Sequence, residues 1–423
     1  MGLFTGQSIF GLDISDYSVE CLLLAKKIGK LGVKSYSRLT SAANIVENGV
    51  ILDKKFLAEK IVETRIKARP RRIASKKVIL SLPESKTFIH LFKSTEIPGG
   101  PEIKKGIISE ASRIIPLDLQ ETYNDFVVYK NGDVLFAAVS KKIVDDYIEV
   151  MKEAKLELVA IDLESLSIGR ALFFEGGDLK ENVMVVDIGS RTTDISIFNK
   201  LGELQISATI NIAGNKFTQA IAEELGSDFE GAEKLKTTHG LDENGDKRVF
   251  EVLKKQFSPI IEKIKDLTEY YQEKIPVQNG STSNIEKILL VGGSAKMPEI
   301  ASHFSKNLNI RTELGRSKVA EQIKEFAPCE SIVGLALRSL QDNPVRAGIN
   351  LLPSICQKKS FFRALLERKI KLWVALTLLI VEALFLVIGF MVIIDRFDNL
   401  IQGIKISKYN GVVMTPQKVV LNK

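Results

Sequence analysis

A duplicated motif is the feature that most constrains the fold of this 423-residue chain. Residues 9–24, IFGLDISDYSVECLLL, align without gaps with residues 183–198, VMVVDIGSRTTDISIF. Each copy has an apolar segment, then Asp-Ile and a small residue, a polar turn and a second apolar segment, so each copy predicts a β-hairpin. Two such hairpins that face each other would form a clamp whose turns offer backbone N–H groups and hydroxyls to phosphates, with two aspartates near a metal ion.

The aligned positions place similar chemistry in both turns. They are Asp13 with Asp187, Ser15 with Gly189 and Ser18 with Thr192, which Thr193 follows. A single strand-Asp-turn-strand unit is usually just a hairpin, whereas two copies at matching spacing favour a duplicated fold. Elsewhere, strand-like and helix-like segments alternate, which predicts an α/β or α+β architecture.

A third motif, KILLVGGSAKMPEI at 287–300, predicts a strand, a Gly-Gly turn and the start of a helix. Gly292 and Gly293, followed by Ser294, would let the backbone approach a flat ligand or a sugar closely. Taken alone, this is a common strand-to-helix turn, so its meaning depends on the two hairpins.

Residues 372–394 form a run of 23 residues with Glu382 as its only charge. As a helix this run would be about 35 Å long, enough to cross a hydrocarbon core of about 30 Å. Six lysines and arginines within 358–371 precede it, which predicts a cytoplasmic location for residues 1–371 and a short extracytoplasmic tail at 395–423. The basic cluster indicates a membrane surface rather than nucleic acid. A buried helix of a soluble protein is the alternative.

The three motifs, in this order, resemble the nucleotide site of the superfamily that contains actin, hexokinase and the DnaK-type chaperones. The resemblance covers about 1–340, with 161–172 similar to the first connecting motif and 333–340 similar to the closing helix. It implies an actin-like fold, a duplicated ribonuclease H-like α/β architecture, that binds ATP and Mg²⁺. It also implies that Asp13 and Asp187 hold the Mg²⁺ through water.

Further features resemble the PilM and FtsA branch of that superfamily. They are an inserted α+β subdomain at about 80–160, the turn at 210–226 and the motif AEKLK at 232–236. A Glu and a Lys three apart on a helix are otherwise a solvated pair. The nucleotide-binding residues that the resemblance implies are Asp13, Ser15, Ser18, Asp187, Gly189, Thr192, Thr193, Gly214, Asn215, Glu233, Lys236, Gly292, Gly293 and Ser294.

A polar linker at 341–348 leads to the pentapeptide Ile349, Asn350, Leu351, Leu352, Pro353. Together with the basic stretch up to 371 and the apolar run, this pentapeptide resembles the start of PilN; a generic turn after a helix is the alternative. The resemblance implies a membrane-attached scaffold or switch of the type IV pilus inner-membrane complex, with the pentapeptide docked on the actin-like domain. Implied partners are PilN/PilO-like proteins, cytoplasmic motor or platform components and the membrane, without nucleic acid. Homo-oligomerisation is left open.

Several positions depart from the PilM pattern and favour a switch over a turnover enzyme. Ser15 stands where the family usually has Gly, Asp16 where it has a small hydroxyl residue, Glu20 where it has Lys and Asn215 where it has a second Gly. Added carboxylates oppose an anion, so we expect slow ATP hydrolysis at most. The alternatives are a GspL-like secretion component, an FtsA-like division protein and, less favoured, a small-acceptor kinase with Glu164 as its base.

Overall fold

The structure is a computed structural model that describes residues 8–27, 30–40, 45–47, 49–97, 100–173, 179–274, 284–323 and 330–410. The chain divides into two compact units, Met1–Gln357 and Lys358–Lys423. The first unit contains all the strands of the described residues, and the second contains most of the last helix.

The strands and helices have the following bounds. The strands are β1 (Ile9–Ile14), β2 (Ser18–Lys27), β3 (Lys30–Thr40), β4 (Val46–Glu47), β5 (Val50–Ile51), β6 (Lys77–Leu82), β7 (Thr87–Phe92), β8 (Thr122–Val128), β9 (Val134–Ser140), β10 (Glu157–Leu163), β11 (Val183–Ile188), β12 (Thr193–Phe198), β13 (Leu204–Ile210), β14 (Lys287–Val291) and β15 (Arg311–Leu314). The helices are α1 (Lys54–Lys67), α2 (Ile103–Ile114), α3 (Lys141–Glu153), α4 (Glu164–Phe173), α5 (Gly214–Leu225), α6 (Phe229–His239), α7 (Lys247–Lys274), α8 (Ile300–Leu308), α9 (Glu330–Arg338) and α10 (Ser354–Asn410).

Two five-stranded sheets in the first unit repeat one topology. The first sheet has the order β3-β2-β1-β6-β10 and the second has the order β13-β12-β11-β14-β15. In each sheet the first three strands pair antiparallel to one another, and the last two run parallel to the third strand. The predicted duplication and α/β fold class are therefore confirmed, and the two aligned hairpins are β1-β2 and β11-β12.

The hairpins form because their first strands are continuous apolar runs that the core buries on both faces. All the apolar residues of β1 from Phe10 to Ile14 are buried, and so are those of β11. The cross-strand register pairs Asp13 with Glu20 and Asp187 with Asp194. Each hairpin thus brings two carboxylates together on neighbouring strands near its turn, although like charges directly opposite one another disfavour pairing.

Helices α4 and α9 cross at a point where only glycine fits. A Cβ at Gly334 of α9 would lie 1.8 Å from the carbonyl oxygen of Ser167 in α4. The Ser167 hydroxyl also donates to the Ser331 carbonyl over 2.8 Å. On its other side α4 meets the second sheet, because a Cβ at Gly169 would lie 2.7 Å from the Phe198 ring. These helices correspond to the predicted first connecting motif at 161–172 and the predicted closing helix at 333–340.

The residues between β6 and β10 contain a small additional sheet, within the region where the inserted subdomain was expected (about 80–160). This antiparallel sheet has the order β7-β9-β8. Strand β9 lies between the other two and is buried over its whole apolar length, whereas β8 is an edge strand. We call this region, which also contains α2 and α3, the inserted subdomain.

Helix α10 contains the apolar run. Its stretch Leu376–Ile401 is long and apolar enough to cross a membrane, by length and composition. This stretch overlaps the span predicted at 372–394, and the helix continues to Asn410.

The crossing of α4 and α9 predicts that Gly334→Ala is strongly destabilising. The added methyl meets backbone rather than a flexible side chain, so the two helices must separate, at a cost of about 3 kcal/mol. The free energy of unfolding of the full chain in detergent, measured with urea, checks this. Gly293→Ala is the matched control, because its Cβ meets nothing within 4 Å. Equal stability of the two variants would contradict the described packing.

Candidate functional site

A cleft of about 130 Å³ lies between the turns of the two hairpins. Most ligand pockets measure about 300–1,000 Å³, so a whole nucleotide requires this cleft to widen. The residues that line it are Asp13, Ile14, Ser15, Asp16, Gly49, Ser81, Pro83, Ser85, Glu164, Asp187, Gly189, Ser190, Arg191, Thr192 and Asp194. The set includes most of the predicted phosphate-binding positions.

The first turn is closed by its own serines. The Ser15 N–H donates to the Ser18 carbonyl over 2.9 Å, and the Ser18 N–H donates to Oγ of Ser15 over 3.0 Å. The two hydroxyls lie 3.1 Å apart. Before this turn, Asp13 is buried, and its Oδ1 accepts from the hydroxyl of Ser331 over 2.7 Å. Ser15 lines the cleft, whereas Ser18 is buried behind it.

The second turn is where the other predicted motifs meet. The Gly189 carbonyl accepts from the Gly214 N–H and from Oγ of Ser294, each over 3.1 Å. A Cβ at Gly214 would lie 2.4 Å from that Ser294 oxygen, so the contact requires glycine. Gly292 has a φ of +90°, and a Cβ there would lie 2.2 Å from Oδ1 of Asp187. Three segments far apart in sequence thus converge on Asp187 and Gly189.

The two threonines of the second turn differ in placement. Thr192 lines the cleft, and its hydroxyl donates to Oδ2 of Asp194 over 3.2 Å. Thr193 is fully buried and donates to the Ile212 carbonyl over 2.7 Å. The structure therefore puts the hydroxyl of Thr192, rather than that of Thr193, at the cleft.

Lys236 of α6 has a structural position against α5. Its buried ammonium donates to the Gly214 carbonyl, to the Thr218 hydroxyl and to Oε2 of Glu233, over 3.1, 2.8 and 2.6 Å. All three of its hydrogens are therefore used within the protein. Glu233 is the more exposed member of the pair. In the third motif, Gly293 faces open space.

Behind the cleft, buried and half-buried carboxylates crowd around a cavity of about 10 Å³, the size of one water. Burial, followed by the charge of Asp194, raises the pKa of Asp187 to about 8. Burial raises the pKa of Glu84 to about 7 and that of Glu164 well above its usual range. Burial also raises the pKa of Asp194, although the hydroxyls of Thr209 and Thr192 oppose the shift. This concentration of negative charge suits a cation.

The arrangement fits a Mg²⁺ that is held through water. Across the residues that the structure describes, no group of three His, Cys, Asp or Glu side chains closes on a metal position. Mg²⁺ usually keeps several waters and takes one or two carboxylates together with phosphate oxygens. Asp13 and Asp187, one on each hairpin, suit that coordination.

The segment Ile349–Pro353 is docked on its own chain. Ile349, Leu351 and Leu352 are buried in the apolar core that the first sheet shares with the inserted subdomain. The Leu351 N–H donates to the Ile161 carbonyl on the edge of β10 over 2.9 Å. We call the site between the β10 edge and β8 the peptide groove, and Ile349–Pro353 the docked segment.

Asn350 gives the docked segment its polar contacts. Its Oδ1 accepts from the Ile161 N–H over 3.0 Å and from the Leu352 N–H over 3.1 Å. Its own N–H donates to Oδ2 of Asp125 on β8 over 2.8 Å. Each of these groups is buried or partly buried, so leaving one without a partner costs about 1–3 kcal/mol.

Arg338, the last residue of α9, fixes the chain that leads to the groove. Its guanidinium is fully buried, lies 2.9 Å from Oδ2 of Asp162 and donates to the Ile349 carbonyl over 2.6 Å. It also donates to the carbonyls of Pro344 and Val345. Burial acts to raise the pKa of Asp162, but Arg170 and Arg338 together lower it below its usual value.

Sequence reasoning did not single out several residues that the structure places at these sites. They are Glu84, Asp125, Asp194, Arg191 and Arg338. Asp194 carried a signal, since it is the one charged residue of its strand and aligns with Glu20 of the first copy. Arg338 carried a similar one, as an arginine that ends an apolar helix. The other three lack any local pattern that distinguishes them from surface charges.

Two copies of one sheet that enclose a cleft define an actin-like protein. The solved structure described as "PilM-PilN type IV pilus biogenesis complex" shares this fold, with a TM-score of 0.67 and 20% identity over 80% of this chain and 100% of that one. The chain belongs to the family described as Type IV pilus assembly protein PilM, whose model matches residues 11–338. The predicted family is confirmed.

Other known proteins are more distant. Cell division protein FtsA of Staphylococcus epidermidis is 24% identical over 302 residues, which are 62% of this chain and 62% of that protein. The chain therefore spans under two thirds of the length of the curated relatives it matches. MreB5 of Spiroplasma citri bound to ADP has a TM-score of 0.46 and 17% identity over 75% of this chain and 94% of that one.

The buried carboxylates predict a fall in stability with rising pH. The pKa of Glu84 is about 7 in the folded chain against an ordinary value of 4.5. Its stabilising contribution is therefore fully present below the unfolded pKa and is lost as pH rises through about 7, by up to about 3 kcal/mol. Urea unfolding of the full chain without Mg²⁺, at pH 5 and pH 8, measures this loss.

Glu84→Gln should show a smaller fall between pH 5 and pH 8 than the unmodified chain, because its amide does not ionise. Glu251→Gln, on an exposed position of α7, is the matched control and should behave as the unmodified chain does. An unchanged fall in Glu84→Gln would show that this carboxyl does not titrate as described.

Proposed function

We propose that this protein is a membrane-attached, nucleotide-binding scaffold of the type IV pilus inner-membrane complex. The observation that carries the nucleotide assignment is the convergence of the Gly214 turn and the third motif on Asp187 and Gly189 of the second hairpin turn. Three segments meet there through contacts that only glycine permits. Such backbone-lined turns suit phosphates, and the carboxylates around them suit Mg²⁺.

In this proposal ATP lies between the two sheets. Asp13 and Asp187 hold the waters of Mg²⁺, and the ion offsets the charge that the buried carboxylates and the phosphates share. Ser15, Thr192 and the Gly189 turn bind phosphate oxygens, while Gly292, Gly293 and Ser294 flank the adenosine. Asn215 and Glu233 lie on the ribose side, where Glu233 is exposed enough to reach it. Binding then biases the closure of the two sheets around the nucleotide.

We further propose that the docked segment is a PilN-like ligand that the chain carries itself. The matching solved structure is described as a complex of PilM with PilN, which supports a partner of this kind. Here the segment is buried and hydrogen-bonded to β10 and β8 of its own chain. Tethering keeps such a ligand at an effective concentration of about millimolar or more, so the groove stays filled.

The apolar stretch of α10 would hold the scaffold at the inner membrane. Its length suits a single span, and the preceding basic residues favour a cytoplasmic position for the first unit. PilN/PilO-like proteins and cytoplasmic motor or platform components are the proposed partners. Crowded carboxylates next to the phosphate turns oppose an anion and disfavour fast turnover, so the proposed role is assembly rather than catalysis.

Asp187→Ala should weaken Mg-ATP binding by the full chain in lipid nanodiscs, measured by equilibrium titration. Asp187 acts through the Mg²⁺ ion, so the loss should be large with Mg²⁺ and small or reversed when EDTA removes it. Glu382→Ala, in the apolar stretch, is the control and should bind as the unmodified chain does. Equal Mg-ATP affinity of the unmodified chain and Asp187→Ala would remove the assignment.

Asn350→Ala should loosen the docked segment, because it removes the acceptor of the Ile161 N–H and costs about 1–3 kcal/mol. Hydrogen exchange of the full chain should then rise in β8 and β10. Asn343→Ala, at an exposed position of the same connecting segment, is the matched control and should leave exchange unchanged. Unchanged protection of β8 and β10 in Asn350→Ala would mean that the segment only connects the two units.

A further inference from the structure

The cleft between the hairpin turns is unbalanced in charge. Among the described residues that line it, Arg191 is the one cation. Five carboxylates share the lining, namely Asp13, Asp16, Glu164, Asp187 and Asp194. A polyphosphate that enters such a cleft is repelled by those of these groups that are ionised, so cations are needed to receive it.

Arg191 belongs to the second turn but reaches across to the first. Its Nε pairs with a carboxylate oxygen of Asp16, and its Nη1 lies 2.9 Å from Oε1 of Glu47. The Arg191 side chain is 39% exposed, whereas that of Asp16 is 10% exposed. The carboxylate is therefore the fixed member of the pair, and the guanidinium has room to reorient.

A second contact lies beside this ion pair. Nδ2 of Asn215 donates to the hydroxyl of Tyr17 over 2.6 Å, and the Asn215 N–H donates to the Ser190 carbonyl over 2.8 Å. Tyr17 follows Asp16 in the first turn, and Ser190 precedes Arg191 in the second. The two turns are thus linked in two ways. Arg191 and Asp16 join them directly, and Asn215 joins Tyr17 of the first turn to Ser190 of the second.

We infer that Arg191 is a phosphate-binding residue of this cleft and that Asp16 is an internal competitor for it. The inference rests on the proposed nucleotide site and supplies a protein cation for it. A guanidinium presents donors in a planar fork that matches two oxygens of a phosphate as well as those of a carboxylate. When a phosphate enters, it replaces the Asp16 carboxylate as the anion that pairs with Arg191. The first turn is then released from the second, because this ion pair no longer joins them.

Equilibrium titration of the full chain in nanodiscs with Mg-ATP tests this exchange. Asp16→Ser should lower the Kd several-fold, because the phosphates no longer compete with a carboxylate. Arg191→Ala should raise the Kd by about tenfold or more, and Arg191→Lys should fall between it and the unmodified chain. The double variant Asp16→Ser with Arg191→Ala should match Arg191→Ala alone, because Asp16 acts through the guanidinium.

Arg311→Ala is the matched control, since it removes a guanidinium that lies 2.6 Å from Glu181 outside the cleft lining. It should leave the Kd unchanged. Equal weakening by Asp16→Ser and Arg191→Ala would overturn the inference, because the pair would then only hold the two turns together. If Asp187→Ala weakens Mg-ATP binding and Arg191→Ala does not, this inference is overturned but the proposed nucleotide site is not. Absence of binding by both the unmodified chain and Asp16→Ser would overturn the nucleotide site as well.

Discussion

The buried guanidinium of Arg338 is the contact on which the arrangement of both sites depends. Burying a charge costs several kcal/mol, and the cost is offset here because Arg338 meets Asp162 and three backbone carbonyls. Two of those carbonyls belong to the segment that leads into the peptide groove and the third begins the docked segment, so Arg338 also holds the chain at the groove. At the other end of the nine-residue helix α9, Ser331 donates to Asp13 in the cleft. One short helix therefore contacts both sites.

The packing around α9 suggests how the sites influence each other. Helix α9 crosses α4 so closely that no Cβ fits at Gly334, and close-packed interfaces of this kind shift between discrete arrangements rather than deform smoothly. Helix α4 begins at Glu164, directly after the β10 edge that receives the docked segment. We expect closure of the cleft to move α4 and α9 together and to change how tightly β10 holds that segment. The coupling element would be a rigid pair of helices, with Asp162 and Arg338 at its groove end.

Much of the fold was predictable from the sequence, because the duplicated hairpins repeat both their apolar segments and the position of their aspartates. Gly292 and Gly214 were also recognisable, since each stands where a backbone approaches another closely. The connecting segment 341–348 was expected to be a polar linker, yet Arg338 holds two of its carbonyls. Lys236, expected near the nucleotide, is buried with all its hydrogens donated. These contacts, like those of Arg191 with Asp16 and Glu47, join residues that are far apart in sequence and that only folding brings together. No local sequence pattern therefore predicts them.

Occupancy of the peptide groove by the chain's own segment is tested most directly by binding of a labelled synthetic peptide with the sequence of residues 347–355. The titration compares the full chain in nanodiscs with a variant that carries both Asn350→Ala and Leu351→Ala. A free peptide cannot displace a tethered copy held at about millimolar effective concentration, so the unmodified chain should bind none, whereas the variant should bind one peptide per chain. Equal binding by the two proteins, or none by the variant, would contradict a groove that is filled in cis.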